Sequence, residues 1–295
     1  MSFIRSTEGD LVRELWPYNI GIPINDHDDI DSLPSWRIMP AQFDDICQWA
    51  VLEPGIGRRG GVQRSILAYQ SILTGETDIS PQQQVTFRIQ GFVEAVNLAT
   101  LGNWNGKEHD APKAMQTLVL SGCGFEDAFR PQVEALDALR QFILLDLRSP
   151  LADASAQKME GHIKLTRQVF DRTYDGYDNV SVLRAGDDPR GRVAKLGGKW
   201  TVGHRVNTGF QREDGRIVRA THHVIRKGDF VDVAVFVDVT TRRTGKTPGR
   251  ASGRCKGSRS FAAAAGQCEP PTHTASGFEF EPDGFEMESE VSMTV

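Results

Sequence analysis

The chain has 295 residues, 39% of them hydrophobic and 25% charged, and a formal net charge of −5. This composition excludes a collagen, a coiled coil, a disulfide-rich scaffold and a wholly disordered chain, and the length suits one or two domains. The charge is uneven. Basic and acidic residues number 16 and 25 in 1–183, 18 and 7 in 184–259, and none and 7 in 260–295. We call 184–259 the basic segment and 260–295 the acidic tail.

The first half of the chain predicts an irregular lead-in followed by helices. Four prolines interrupt residues 1–40, where they break helices and remove strand hydrogen bonds. Residues 41–178 predict a mainly helical region, because apolar side chains recur near helical spacing. The pattern is found in three stretches: 62–73, 131–147 and 153–175. Residues 84–98 fit either a strand or a helix.

From 190 to 241 the hydrophobic period changes from 3.6 to 2, which predicts an antiparallel four-stranded β-meander. Its strands are expected at 192–196, 200–211, 216–226 and 230–240. Two turns set the register: a three-residue loop at Glu213-Asp214-Gly215 and a two-residue turn at Gly228-Asp229. Either turn, moved by one residue, would mix apolar and polar faces.

This register predicts one buried and one open face of the meander. Trp200, Val202 and the valines of 231–239 point to the core, and so do His204 and His222. The open face holds polar side chains, with Arg219 opposite Asp238 and His223 opposite Arg205. Helices followed by strands favour an α+β fold. Residues 244–295 predict a disordered tail, because they contain too little apolar surface to offset the entropy of ordering.

Two glycine-containing stretches resemble phosphate-binding motifs. Gly55–Gly60 spells GxGxxG, but no βαβ alternation follows, so a glycine-rich turn before a helix is favoured over a dinucleotide loop. Thr240–Thr247 resembles the end of a phosphate-binding loop. It has Thr240 where glycine is needed and no helix after it, which favours a basic linker.

The histidines His204, His222 and His223 are the candidates for catalysis. The first two face the predicted core without a third ligand, which favours hydrogen-bonded core histidines over a metal site. His223, on the open face, is a candidate acid or base. The acidic run Asp26–Asp31 predicts a solvated loop, and the four cysteines are too scattered for a disulfide framework. No metal or cofactor is indicated.

The sequence favours a non-enzymatic binding module whose partner is nucleic acid or another polyanion. The residues expected to bind it are Arg205, Arg219, His223, Phe236, Arg242, Arg243 and Lys246. A cationic groove combined with an aromatic ring that stacks on bases is typical of proteins that bind single-stranded nucleic acid. The acidic tail could instead contact the basic segment, or the charge blocks could simply neutralise one another at a solvated surface. Two alternatives stay open: a small-molecule enzyme with a histidine-containing pocket between helices and sheet, and a protein-interaction role for the helices.

Location follows from what the sequence lacks. Arg5, Glu8 and Asp10 interrupt any signal peptide, and no apolar run approaches the ~20 residues of a membrane span. We therefore expect an intracellular protein, cytoplasmic or nuclear and not secreted, without a membrane partner.

The stretch Thr221–Val233, THHVIRKGDFVDV, resembles a recurrent stretch of uncharacterised fungal proteins. The resemblance covers about residues 198–243. It implies a eukaryotic intracellular protein, and it carries no known activity, cofactor or site.

Overall fold

A computed structural model describes the following residues: 1–17, 20–21, 33–59, 62–70, 84–147, 161–173, 181–184, 186–196, 198–212, 216–242 and 256–263. The strands are β1 (Phe3–Ile4), β2 (Ile38–Met39), β3 (Ala50–Arg59), β4 (Val62–Tyr69), β5 (Thr86–Asn97), β6 (Met115–Ser121), β7 (His162–Gln168), β8 (Asp171–Arg172), β9 (Trp200–Thr201), β10 (Thr208–Gln211), β11 (Ile217–Ala220), β12 (Phe230–Arg242) and β13 (Lys256–Ala263). The α-helices are α1 (Val12–Leu15), α2 (Phe43–Trp49) and α3 (Glu126–Asp146). Single 3₁₀ turns occupy Ser35–Arg37, Glu108–Lys113, Ala194–Leu196 and His222–Val224.

A seven-stranded antiparallel sheet forms the body of the protein. Six of its strands follow the order β3-β4-β12-β5-β6-β7, and the seventh, β13, pairs with β12. The long strand β12 is its centre. It pairs with β5 along Phe230–Phe236 and with β4 along Asp238–Arg242, while β13 pairs with it along Val233–Thr240. β7 and β13 approach each other, so the sheet curls toward closure. Apolar side chains of its inner face pack on α3 in one large core.

The prediction of a mainly helical region over 41–178 is wrong. In the described part of this region α2 and α3 are the only α-helices, and the described part of the helix expected at 62–73 forms β4 instead. The reason is burial on both faces. Ser65, Leu67, Ala68 and Tyr69 of β4 are all buried, and a strand covered on both sides shows no alternation of polar and apolar residues.

The same explanation holds for the ambiguous stretch 84–98, which forms β5. Every residue from Thr86 to Gly91 is buried. The expected helix at 153–175 is also wrong over its described part, because His162–Gln168 forms β7. There Ile163, Leu165 and Arg167 alternate inward, a period of two that the helical reading overlooked.

The helix predicted at 131–147 is confirmed as α3, which begins five residues earlier, at Glu126, and contains Pro131. α3 lies close against β5: a Cβ at Gly91 would come within 2.9 Å of the Phe129 ring. The Gln132 amide accepts from the Gln90 backbone N–H and donates to the Gln90 carbonyl, both at 2.8 Å. On this edge of β5, Ser2 forms backbone hydrogen bonds with Thr86 and Arg88, and β6 pairs with residues 92–97. The Gln132 side-chain amide therefore occupies the position between Ser2 and β6.

The four-stranded meander is wrong in its connectivity. The first expected strand is a 3₁₀ turn at Ala194–Leu196, and the second is split into β9, which pairs with β8, and β10. The third is shortened to β11, and the fourth, β12, pairs within the main sheet instead of with β11. In the main sheet the valines of β12 pack with apolar residues of β4 and β5, which provide a larger apolar surface than the short hairpin does.

One hairpin of the meander is confirmed with its register. β10 and β11 pair Thr208 with Ala220 and Phe210 with Val218, even residue with even residue as the three-residue loop requires. The turn predicted at Gly228-Asp229 is wrong: the Asp229 N–H donates to the Arg226 carbonyl, so Lys227 and Gly228, the latter at a φ of 92°, are the central residues of the turn before β12. It leads out of a 3₁₀ turn rather than out of a strand.

The tail prediction is corrected in part. Lys256–Ala263, expected to be disordered, forms β13 against β12. The rest of 244–295 lies outside the described residues, as do the acidic run at 26–31, Cys255, Cys268 and His273.

Candidate nucleic-acid interface

β10 and β11 form a two-stranded sheet of their own, which we call the ribbon. Burial falls along it: Thr208 at its base is 3% exposed, and Phe210 further along is 46% exposed. Beyond the strands, the Arg212 N–H still donates to the Arg216 carbonyl at 2.9 Å. The ribbon therefore projects from the body and carries Arg212 and Arg216 at its exposed end.

The described part of the basic segment has a cationic surface. Its exposed cationic side chains are Arg184, Arg190, Lys195, Lys199, Arg212, Arg216, Arg219, Arg226 and Lys227. Lys199 forms an ion pair of 2.9 Å with Glu108. Only seven carboxylates accompany the 18 cations of the whole basic segment, and two of them are Asp187 and Asp188.

Asp187 and Asp188 direct their charge inward. The Asp187 carboxylate is 10% exposed and accepts from the Thr100 hydroxyl at 3.0 Å, the Arg184 N–H at 2.8 Å and Arg205 Nη2 at 3.2 Å. The Asp188 carboxylate is 9% exposed and accepts from the Val193 N–H at 2.7 Å. Both carboxylates fix loops of the segment, so these two add little negative charge to its surface, whereas Asp229 is exposed and Glu213 and Asp214 lie outside the described residues.

The predicted binding residues are only partly brought together. Arg219 lies on the ribbon opposite Gly209, not opposite Asp238 as predicted, because β11 does not pair with β12. Arg205 precedes the ribbon and is held by Asp187. His223 is not opposite Arg205 on a strand but lies in the 3₁₀ turn after β11.

Phe236 is not part of this surface. It lies in β12 between β5 and β13 and is half-buried. Asp232, also expected on the open face, pairs with the buried Arg88 and accepts from Gln90 Nε2 at 2.8 Å. Arg242 ends β12, whereas Arg243 and Lys246 lie outside the described residues.

The candidate catalytic histidines lie outside two clefts that the described residues form. His204, predicted in the core, is exposed, and its Nε2 lies 3.7 Å from Asp171 Oδ2. His222 is half-buried beside the exposed His223, with ring centroids 4.0 Å apart. A cleft of about 540 Å³ lies between Arg5 and Trp49, and one of about 200 Å³ beside Trp104. Neither cleft contains a histidine. Among the described residues no three His, Cys, Asp or Glu side chains could hold a metal ion.

Burial and neighbouring charge act on His222. Desolvation, then His223 and Arg205, lower its pKa below the ordinary value of 6.5, and the carboxylate of Asp187 opposes them. The imidazole is therefore held in its neutral form by its surroundings. An anion placed there would favour the protonated form.

The GxGxxG stretch is not a turn before a helix. Gly55 and Gly57 lie within β3, whose partner is the following strand β4, and the register shifts between Pro54 and Arg58. A β-hairpin does not present a helix N-terminus to a phosphate. The described part of this stretch thus lacks the geometry of a dinucleotide loop.

Sequence reasoning missed several residues of the candidate interface. The strand pattern places Phe210 on the core face with Trp200 and Val202, and it does not single out Arg212 and Arg216. Their signal was present, because both arginines flank the predicted loop at 213–215. A residue next to a hairpin loop is commonly exposed, whatever face the strand pattern gives it.

Comparisons with protein-family profiles, with curated proteins and with solved structures find no match for this chain. The likeness to fungal proteins over 198–243 stays a prediction. In the described part of the chain, no helix combines the length and the apolar character that crossing a membrane requires.

Proposed function

We propose that the protein binds nucleic acid through the ribbon and the exposed cations around it. The observation that carries the proposal is the projecting ribbon with Arg212, Arg216 and Arg219 exposed along it. Arginines on a two-stranded ribbon can meet the backbone phosphates of a nucleic acid, and an exposed aromatic ring beside them can stack on its bases.

The inward direction of Asp187 and Asp188 supports the proposal. A carboxylate on the surface would repel a polyanion, whereas the carboxylates of Asp187 and Asp188 accept hydrogen bonds from neighbouring groups of the protein. Phe210 is 46% exposed on the ribbon, so in this proposal it is the stacking ring, in place of the predicted Phe236. Base stacking on an aromatic ring contributes about 1–3 kcal/mol per base.

The alternative of a small-molecule enzyme stays a prediction, and the two clefts described above contain none of its candidate histidines. The binding role is compatible with the predicted cytoplasmic or nuclear location, which stays a prediction. A role of the helices in protein interaction also stays a prediction.

The experiment is a fluorescence-anisotropy titration at several salt concentrations. The probe is a labelled oligo(dT) of about 20 nucleotides, longer than the site of a typical single-strand-binding fold. The variant R212Q/R216Q/R219Q is compared with K107Q/K113Q/K164Q, which removes the same charge from exposed lysines outside the basic segment. Circular dichroism checks that both variants are folded.

Removal of the ribbon arginines should weaken binding and lower the slope of log K against log salt by about 2, since each single-strand phosphate contact contributes about 0.7. The lysine variant should bind like the wild type. No binding of the wild type at low salt, or equal losses in both variants, would refute the proposal. Parallel titrations with a duplex and with heparin establish whether single strands, duplexes or polyanions in general are preferred.

A further inference from the structure

The base of the ribbon gathers one arginine and two histidines. Arg205 lies three residues before β10, and the turn His222–Val224 follows β11 directly and contacts β10. The rings of His222 and His223 lie 4.0 Å apart with an interplanar angle of 38°. Two imidazoles and a guanidinium thus approach the same end of the ribbon.

Arg205 is fixed on one side and has donor capacity left on the other. Its Nη2 donates to Asp187 at 3.2 Å, which sets the orientation of the guanidinium. Its Nη1 is buried and has no acceptor among the described residues. A buried donor without an acceptor is unfavourable, and an anion at this position would accept from it.

We propose that Arg205, His222 and His223 form a phosphate-binding site at the base of the ribbon, which holds a nucleic-acid backbone phosphate when the imidazoles are protonated. This inference rests on the proposed function and adds to it a defined contact and a dependence on pH. Arg205 supplies a permanent charge and a forked donor, and the two imidazoles supply a charge that varies.

The charged groups around His222 determine the direction of the pH effect. Burial disfavours the protonated form of His222 most, His223 and Arg205 repel it and Asp187 attracts it, while β10, which packs against the turn, contributes no titratable side chain. Without an anion, the pKa of His222 therefore lies below its ordinary value. A phosphate neutralises the repulsion from Arg205 and raises this pKa, so binding takes up a proton and strengthens as the pH falls.

The test measures oligo(dT) affinity by anisotropy between pH 7.5 and 5.5 at constant ionic strength. The wild type is compared with H222Q/H223Q, and H162Q serves as control because His162 is exposed on β7 in the main sheet. From pH 7.5 to 5.5 the wild type and H162Q should gain about tenfold more affinity than H222Q/H223Q does, which corresponds to a rise of about one unit in one pKa on binding.

A second readout is the imidazole titration of His222 by NMR with and without oligo(dT). Its pKa should rise when the probe is present. If H222Q/H223Q keeps the full pH dependence, or if the probe leaves the His222 titration unchanged, the phosphate site is refuted while binding at pH 7.5 still supports the proposed function. Absence of binding at every pH would refute both.

Discussion

The main sheet and the ribbon are both antiparallel β-structure, yet they are stabilised differently. The main sheet packs long strands on α3 around one large apolar core. The stretch of the basic segment around Leu196 and Val202 packs in a small cluster of eight buried apolar residues, and its loops depend on Asp187 and Asp188. Apolar burial therefore maintains the fold, and the polar region is left to present charge.

Removal of an aromatic ring should separate the two regions most clearly. Phe129 on α3 is fully buried, so Phe129→Ala should lower the free energy of unfolding by about 3–5 kcal/mol through the cavity it leaves. Phe210→Ala on the ribbon should change it by less than about 0.5 kcal/mol, because the ring is 46% exposed. Urea unfolding followed by circular dichroism measures both, and equal losses would contradict the contrast.

The amide of Gln132 offers a sharper test of the main sheet. In Gln132→Leu the buried N–H and C=O of Gln90 lose their partners, which should cost about 3 kcal/mol. Gln141→Leu, at an exposed position of the same helix, should cost less than about 0.5 kcal/mol. Urea unfolding of the two variants measures both losses. Equal stability of the variants would show that the hydrogen bonds of Gln132 to the Gln90 backbone do not stabilise the sheet edge.

What the sequence predicted correctly was local. Helix α3 has one clear apolar stripe, and the ribbon has a loop whose length fixes the register, so both are confirmed. Each depends on neighbours within a few residues. At the turn before β12 only the role of Gly228 is confirmed, since glycine suits its positive φ, whereas the hairpin predicted around it does not form.

What the sequence could not predict depends on distant partners. β12 pairs with β4 and β5, whose residues precede it by well over one hundred positions, and nothing in its valine row selects them over β11. β4 and β5 are covered on both faces, which removes the alternation that would identify them as strands. The pairing of β12 with β5 also explains why Asp232 is not on an open face as the meander predicts: it contacts the buried Arg88 and Gln90 of β5.

Asp187 should matter less to stability than the buried groups of the main sheet. Asp187→Ala removes three hydrogen bonds at a partly exposed position and should cost about 1–2 kcal/mol. The control is Asp146→Ala at the exposed end of α3, which should be close to neutral.

The same variant should change the titration of His222. The Asp187 carboxylate raises the pKa of His222 against the lowering by burial, His223 and Arg205, so its removal should lower that pKa further. Because this pKa is depressed in the folded state, the contribution of His222 to stability is present above pH ~6.5 and is lost as the pH falls through the folded value. In Asp187→Ala that loss should move to lower pH. An NMR titration showing a higher or unchanged pKa would contradict the assigned role of Asp187.

The smallest expected effect concerns the acidic tail and the cations of the basic segment. Residues 264–295 contain all seven carboxylates of the tail and no Lys or Arg, and the cut at 264 leaves β13 intact. If the tail competes with nucleic acid for the cations, its deletion should tighten oligo(dT) binding about threefold at low salt, and the gain should vanish at high salt as the charges are screened. The matched control keeps the length and replaces the seven carboxylates by amides; it should reproduce the deletion. Affinity that is unchanged at low salt in both variants would show that the tail leaves the ribbon accessible, so the contrast between core and charged surface would hold without an internal competitor.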